Sequence, residues 1–247
     1  MIITNIKKFE EICRDMRKFC KLALRYGQIE QKPYHYVFFM NKNFMCATNG
    51  NFMAIRDIAD CVINDETFAF PSTVKPTKVV TSNGEKFVIE NKKENYFSKD
   101  KKEVVNFDWE RIIPTYNPRV RKEYDFSAYN VTEIQSEKYS TVTFCDNGDV
   151  IFYYDDCCET VATYSDVQII KDDFFDSVDD KPITTLSYPM YQINWILNDS
   201  KKFIYDEYYK NGNYVGVFTT NHYTFVVAPM INEIMTEIYD KLKINYL

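Results

Sequence analysis

YHYVFFMNKNFMCATNGNFMAI, residues 34–55, alternates short apolar runs with polar breaks at Asn41–Asn43 and Asn49–Asn51. Runs of Val, Phe, Met and Ala cut by Asn and Gly predict consecutive antiparallel strands joined by tight turns. Upstream, residues 6–25 contain no Gly or Pro and Gly27 follows as a stop, which predicts a helix over Ile6–Arg25. Downstream, TFAFPSTVKPTKVVTSNG (67–84) predicts a strand, a brief helix or turn, and a break at Asn83–Gly84. EKFVIENKKENYFSKDKKEVVNF (85–107) then reads as strands joined by charged turns. Pro114 and Pro118, in IIPTYNPRVRKE, mark the best candidate for a domain boundary.

The second half repeats this order. FSAYNVTEIQSEKYS (126–140) predicts a helix, and TVTFCDNGDVIFYYDD (141–156) a hairpin with Asn147–Gly148 at its turn. ETVATYSDVQII (159–170) predicts one further strand. YPMYQINWILNDSKKF (188–203) reads as helical, and YVGVFTTNHYTFVVAPM (214–230) as two strands around Asn221. INEIMTEIYDKLKINYL (231–247) has the pattern of an amphipathic helix. Helix, strands, short helix, strands therefore occurs twice, without sequence identity between the halves. The expectation is an α+β fold with antiparallel sheets and helices on one face. Its domains are residues 1–117 and 118–230, followed by a helical extension over 231–247.

Composition narrows the function. The 247 residues are 45% apolar and 27% charged, the balance of a globular protein. No run approaches the roughly 20 apolar residues that span a bilayer. MIITNIKKFEEICRDM (1–16) has no apolar signal core, so a cytoplasmic location and no membrane partner are expected. Seven cysteines, an odd number without a CxxC pair, read as reduced and mostly buried thiols. His35 and His222 lie far apart, so no metal site is expected. P-loop, GxSxG and HExxH patterns are missing, and no cofactor or catalytic residue is expected. The acid pairs Asp155–Asp156, Asp172–Asp173 and Asp179–Asp180 fall in or beside turns and read as solvated. Abundant Asn, Lys, Ile, Tyr and Phe beside only six Gly suggest an AT-rich genome, such as that of a phage or a low-GC host.

A formal charge of −6 argues against nucleic-acid binding until its distribution is considered. At about 100° per residue, Arg14, Lys18, Lys21 and Arg25 fall within roughly 40° of Lys7 on the first helix. Phe9, Ile12, Met16, Phe19, Cys20 and Ala23 gather opposite. From Lys7 to Arg25 there are seven Lys or Arg against three acids, a local +4 that leaves −10 for the rest. One reading is an ordinary surface helix with a solvated basic face. The other is a cationic stripe facing phosphates, made sequence-independent by the charges it uses. Lys75 and Lys78, then Lys201 and Lys202, add cations on the other predicted helices or at their ends.

Three strings carry a resemblance. YHYVFFMNKNFMCATNGNFMAI resembles the L-x-x-x-A-T-D-G-H-R-L-A segment of bacterial DNA sliding clamps, the β subunit of the replicative polymerase. Ala47, Thr48, Gly50 and Ala54 match it, and Met53 replaces Leu. FDWERIIP (107–114) resembles that family's F-P-D-Y-R-R-V-I-P through Phe107, Arg111, Ile113 and Pro114. YTFVVAPMI (223–231) resembles its terminal Y-x-V-x-M-P-M-R-L through Val227, Pro229 and Met230. The motifs cover only about 30 residues, whereas the architecture covers most of the chain.

The resemblance implies a non-enzymatic processivity factor encircling duplex DNA, with Lys7, Arg14, Lys18, Lys21, Arg25, Lys75, Lys78, Lys201 and Lys202 on the DNA side. It implies an apolar pocket where DNA polymerase and clamp loader dock short linear peptides, formed by Thr48, Gly50, Phe52, Met53, Pro114, Val227, Pro229 and Met230. Bacterial clamps carry three domains per chain and close as dimers, whereas this chain has room for two. Eukaryotic, archaeal and certain phage clamps carry two and close as trimers, so a homotrimer is implied here. Asn49, Asn51 and Phe52 stand where the family has Asp, His and Arg, which puts peptide preference in doubt. The chain continues past Met230, where the bacterial family nearly stops. The alternative is a clamp-fold viral interaction protein that forms no ring and binds host replication factors.

Overall fold

The computed structural model describes residues 1–25, 37–82, 84–89, 109–128, 139–144, 150–154, 161–164, 168–174, 186–210 and 213–230. It divides the chain into two compact units, Met1–Ile113 with His222–Val226, and Pro114–Asn221 with Val227–Leu247.

In the first unit, β1 (Ile2–Ile3) leads into α1 (Ile6–Arg25). Asn5 caps the helix: its carbonyl accepts from Phe9 N at 3.0 Å and its side-chain oxygen from Lys8 N at 3.2 Å. The strands β2 (Val37–Asn41), β3 (Phe44–Thr48) and β4 (Phe52–Asp57) follow where the Asn breaks separate the apolar runs. After them come β5 (Val62–Ile63), β6 (Thr67–Pro71), β7 (Thr77–Thr81) and β8 (Gly84–Val88). One sheet has the order β5-β1-β8-β7. In another, β4, β3, β2 and β6 run antiparallel, with Ala47 opposite Ala54 and Phe39 opposite Cys46 and Ala69.

The apolar face of α1 buries Phe9, Ile12, Met16 and Phe19 against β3 and β4. Such side chains contribute about 1.5–3 kcal/mol each when fully buried. Phe19 stacks on Phe52 with centroids 5.7 Å apart and meets Tyr223 and Phe225 edge-on at 5.7 and 5.8 Å. Those last two rings belong to His222–Val226, so the unit is completed by a segment from far along the chain.

A single 3₁₀ turn at Trp109–Ile112 closes the N-terminal part of the first unit, and β9 (Val120–Asp125) is the first strand of the second. β10 (Tyr139–Phe144) and β11 (Val150–Tyr154) form the expected hairpin, whose turn lies outside the described residues. The one strand expected over 159–170 is two, β12 (Val161–Tyr164) and β13 (Gln168–Phe174), in different sheets. β14 (Leu186–Pro189) precedes α2 (Met190–Asp199), which is shorter than the 188–203 expected. Pro189 sits at φ −58° and ψ 134°, extended backbone that ends the strand before the helix starts. β15 (Lys202–Lys210) and β16 (Asn213–Thr219) pair along their length; β17 (Tyr223–Val227) comes next in the chain and, save for Val227, belongs to the first unit. The sheets run β12-β11-β10-β14 and β13-β9-β15-β16. The helix expected over 126–140 lies largely outside the described residues; its ends are a turn at Ser127–Ala128 and the start of β10. The extension 231–247 lies outside them altogether.

The core of this unit is aromatic and ionic together. Phe144 stacks on Tyr205 at 5.0 Å, and Phe218 lies 4.9 Å from Tyr205. Among these rings the Arg119 guanidinium bonds the Glu207 carboxylate at 2.6 and 2.7 Å, with both side chains buried. The Tyr205 hydroxyl donates to Glu207 at 3.3 Å and lies 3.1 Å from the Tyr188 hydroxyl. Tyr188 packs over Gly216, opposite Glu207 in the sheet, where any Cβ would collide with its hydroxyl.

Candidate nucleic-acid interface

The helix α1 that the sequence predicts over Ile6–Arg25 forms with those bounds, and its apolar side is the buried one. Lys7, Arg14 and Lys18 are exposed on the opposite side, as the helical spacing requires. Lys21 and Arg25 continue the helix, with side chains outside the described residues. Two other cations are turned toward the body of the unit. The Lys8 ammonium pairs with Asp60, and Arg17 donates to the Ser72 carbonyl at 2.5 Å. The Lys8 hydrogen bond lowers the Asp60 carboxyl below its ordinary range.

The exposed side of α1 is also less cationic than a sum over the helix implies. Glu10 and Glu11 are exposed between Lys7 and Arg14, and Asp15 pairs with Lys18 at 3.2 Å. From Lys7 to Lys18 the outward charges are thus three of each sign.

The remaining expected cations are scattered. Lys75 is exposed in the link between β6 and β7, and Lys78 lies on β7, paired with Glu85 at 2.6 Å. Neither is on a helix: β-branched TKVVT forms a strand there, and Ser72–Thr73 is a turn. Lys201 is exposed at the bend after α2, and Lys202 opens β15, bonded to Asp125 at 2.7 Å. That bond and one from Ser127 hold the Asp125 carboxyl down at about 2.

The expected pocket residues fall into two groups, one in each unit. Thr48, Gly50, Phe52 and Met53 share one turn. The Thr48 hydroxyl accepts from Gly50 N at 3.0 Å and donates to the Phe52 carbonyl at 2.9 Å. The Asn49 side chain accepts from Asn51 N and Phe52 N at 3.1 and 2.9 Å, and Gly50 takes φ 97°. Thr48 and Gly50, two of the positions that match the clamp string, therefore have a local structural reason: a hydroxyl pin and a left-handed backbone. Phe52 and Met53 are buried, so the outward surface of the turn is Gly50 and Asn51.

Pro114, Val227, Pro229 and Met230 belong to the second unit. Val227 is buried, whereas Pro114, Pro229 and Met230 are half-exposed. Met230 N donates to the Ser187 carbonyl at 2.7 Å, an antiparallel bridge that fixes the segment to β14. Phe107 lies outside the described residues. Among the described residues no group of three or more His, Cys, Asp and Glu is placed to hold a metal, and no helix is long and apolar enough to cross a membrane.

No protein-family profile matches the chain, and no curated protein matches it by sequence. Solved structures do. A Helicobacter pylori β clamp in complex with 5-chloroisatin shares 11% identity at TM-score 0.54, over 94% of this chain and 64% of that one. The Helicobacter pylori β clamp bound to a DNA ligase peptide gives 11% identity and TM-score 0.53, over 93% and 65%. The DNA polymerase III β chain of Streptococcus pneumoniae gives 11% and 0.51, over 90% and 63%.

The fold is that of a sliding clamp.

At this identity the likeness carries the architecture and not the side chains. The chain spans 63% to 65% of the length of these clamps. The sequence missed two features of the clamp-fold chain. One is the neutral balance on the exposed side of α1 between Lys7 and Lys18, legible in Glu10 and Glu11 had they been placed on the wheel with the cations. The other is the Arg119–Glu207 pair, for which charged residues in a strand give no advance signal.

Proposed function

We propose that this protein is a DNA polymerase sliding clamp, a non-catalytic processivity factor that closes around duplex DNA and docks partner peptides. The observation that carries the reading is a clamp fold whose first helix turns Lys7, Arg14 and Lys18 outward although the chain is acidic overall. Contacts from such cations go to phosphates and hold no sequence information, which suits a protein that slides.

Two clamp-like domains per chain, against three in the bacterial clamps, make a homotrimer the assembly that restores a six-domain ring. The β7 edge supports assembly through strand pairing. Among the described residues β7 is an end strand of its sheet and all five of its residues are exposed, with Val80 at 74%, and an exposed edge strand is a template for another chain. The partner peptide of a polymerase or loader docks at the Pro229–Met230 segment of the second unit, where Met supplies an adaptable apolar surface.

The test is stimulation of a polymerase on primed circular DNA. Reversing Arg14, Lys18 and Lys21 to Glu abolishes it while the far-UV spectrum is unchanged; undiminished stimulation removes the DNA-facing role. Mass in solution tests the ring: three 29.4 kDa chains give about 88 kDa. A monomer at micromolar concentration favours instead a clamp-fold interaction protein without a ring. Pro229→Ala with Met230→Ala weakens polymerase-peptide binding and leaves the oligomer intact.

A further inference from the structure

Resting on that reading, we infer that Glu10 and Glu11 are a built-in limit on how tightly α1 grips DNA. Five charged residues are exposed along one side of the helix between Lys7 and Lys18: Lys7, Glu10, Glu11, Arg14 and Lys18. Glu10 is three residues from Lys7 and four from Arg14; Glu11 is four from Lys7 and three from Arg14. Each acid is therefore a surface neighbour of both cations. Asp15 engages Lys18 at 3.2 Å, and Lys8 and Arg17 are held by Asp60 and the Ser72 carbonyl. The surplus of +4 over Lys7–Arg25 thus comes from cations tied to the body of the unit and from Lys21 and Arg25 in the last two turns.

A phosphate approaching Lys7 or Arg14 meets a carboxylate within one helical turn, closer than the roughly 8–10 Å over which salt screens charge at physiological strength. Attraction and repulsion there nearly cancel. The N-terminal half then keeps a duplex near without holding it. A protein that must move along DNA needs low friction as well as retention, and interleaved carboxylates supply it.

The experiment measures affinity of the full-length protein for a fluorescent duplex oligonucleotide at two salt concentrations, using wild type, Glu10→Gln/Glu11→Gln, and Arg14→Gln/Lys18→Gln. The double Glu variant is expected to bind roughly three- to tenfold more tightly at low salt, with a steeper salt dependence, because two neighbouring anions no longer offset the cations. The double cation variant is expected to bind more weakly. If the Glu variant binds as wild type does while the cation variant weakens, the limit is refuted and the clamp reading stands. If neither variant changes binding, the DNA-facing assignment of α1 fails as well. A circular-dichroism melt separates either result from a loss of folding.

Discussion

The two units hold together differently. The first is sealed by apolar rings and thiols: Phe19, Phe52 and Phe225 in mutual contact, with Cys13, Cys20, Cys46 and Cys61 buried around α1 and its sheet. Burial pushes the Cys13 and Cys20 thiols up to about 12. The second places a charged pair and two tyrosine hydroxyls among its rings, and even Lys122 is only 2% exposed. An apolar core loses contacts gradually as atoms are removed. A buried ion pair is all-or-none, because removing one partner strands the other's charge. One architecture can therefore be built with two very different sensitivities to substitution.

The largest expected effect comes from exploiting that contrast. Glu207→Ala removes the carboxylate that the buried Arg119 guanidinium bonds and is expected to destabilise the second unit by about 3–5 kcal/mol. Replacing Glu207 and Arg119 together by Gln and Leu should recover much of that, whereas Phe52→Ala in the first unit, at about 3–5 kcal/mol, has no such rescue. Alkylation followed by peptide mass analysis tells which unit has opened: Cys13, Cys20, Cys46 and Cys61 stay unmodified at neutral pH until the first unit unfolds. Rapid labelling of those four in native protein would contradict the burial assigned to them.

A smaller effect is expected at Gly216, where the fully buried Tyr188 ring leaves no room for a methyl group. Gly216→Ala should cost about 1–3 kcal/mol in denaturant melts. Gly216→Ala with Tyr188→Phe should regain part of it, because the hydroxyl is the nearest obstacle. Unchanged stability in the single variant would mean that Tyr188 can move aside.

Acid sensitivity sharpens the comparison further. The Asp125 carboxyl is held at about 2 when folded, chiefly by Lys202, against about 3.9 when unfolded. A depressed folded value means its contribution is complete above the unfolded value and is lost as pH falls from about 4 to about 2. Asp125→Asn should therefore flatten the stability profile in that interval and leave its shape at higher pH alone. The smallest effect belongs to the exposed Asp15–Lys18 pair on α1: Asp15→Asn is expected to change stability by no more than about 0.5 kcal/mol.

Much of the fold was legible wherever burial and hydropathy agree. The helix α1 and the strands of Val37–Asp57 were readable because apolar residues recur at helical or strand spacing and Asn and Gly cut them. β9 escaped because VRKEYD places Lys122 in the core, and a charged residue inside cannot be told from one outside without knowing its partner. β12 and β13 merged into one expected strand because Ser165, Asp166 and Val167 between them did not read as a change of sheet. For the candidate site, the opposed faces of α1 followed from periodicity alone. That Lys8 and Arg17 turn back to Asp60 and Ser72 did not, because those partners are 52 and 55 residues away and only folding brings them close. The Thr48–Phe52 turn was marked by its Asn49–Asn51 break, and its hydrogen bonds explain why Thr and Gly occupy it.

The borrowed segment His222–Val226 bears on how the molecule is made. A ribosome releases the first unit's helix and strands early, yet residues 114–221 must also be translated before Tyr223 and Phe225 arrive to seal Phe19 and Phe52. Domains ordinarily fold from the N-terminus as they emerge, but here the nascent first unit waits with an open aromatic seam. That interval is when a holdase chaperone has a surface to grasp, and a stalled or truncated polypeptide would present the same seam permanently.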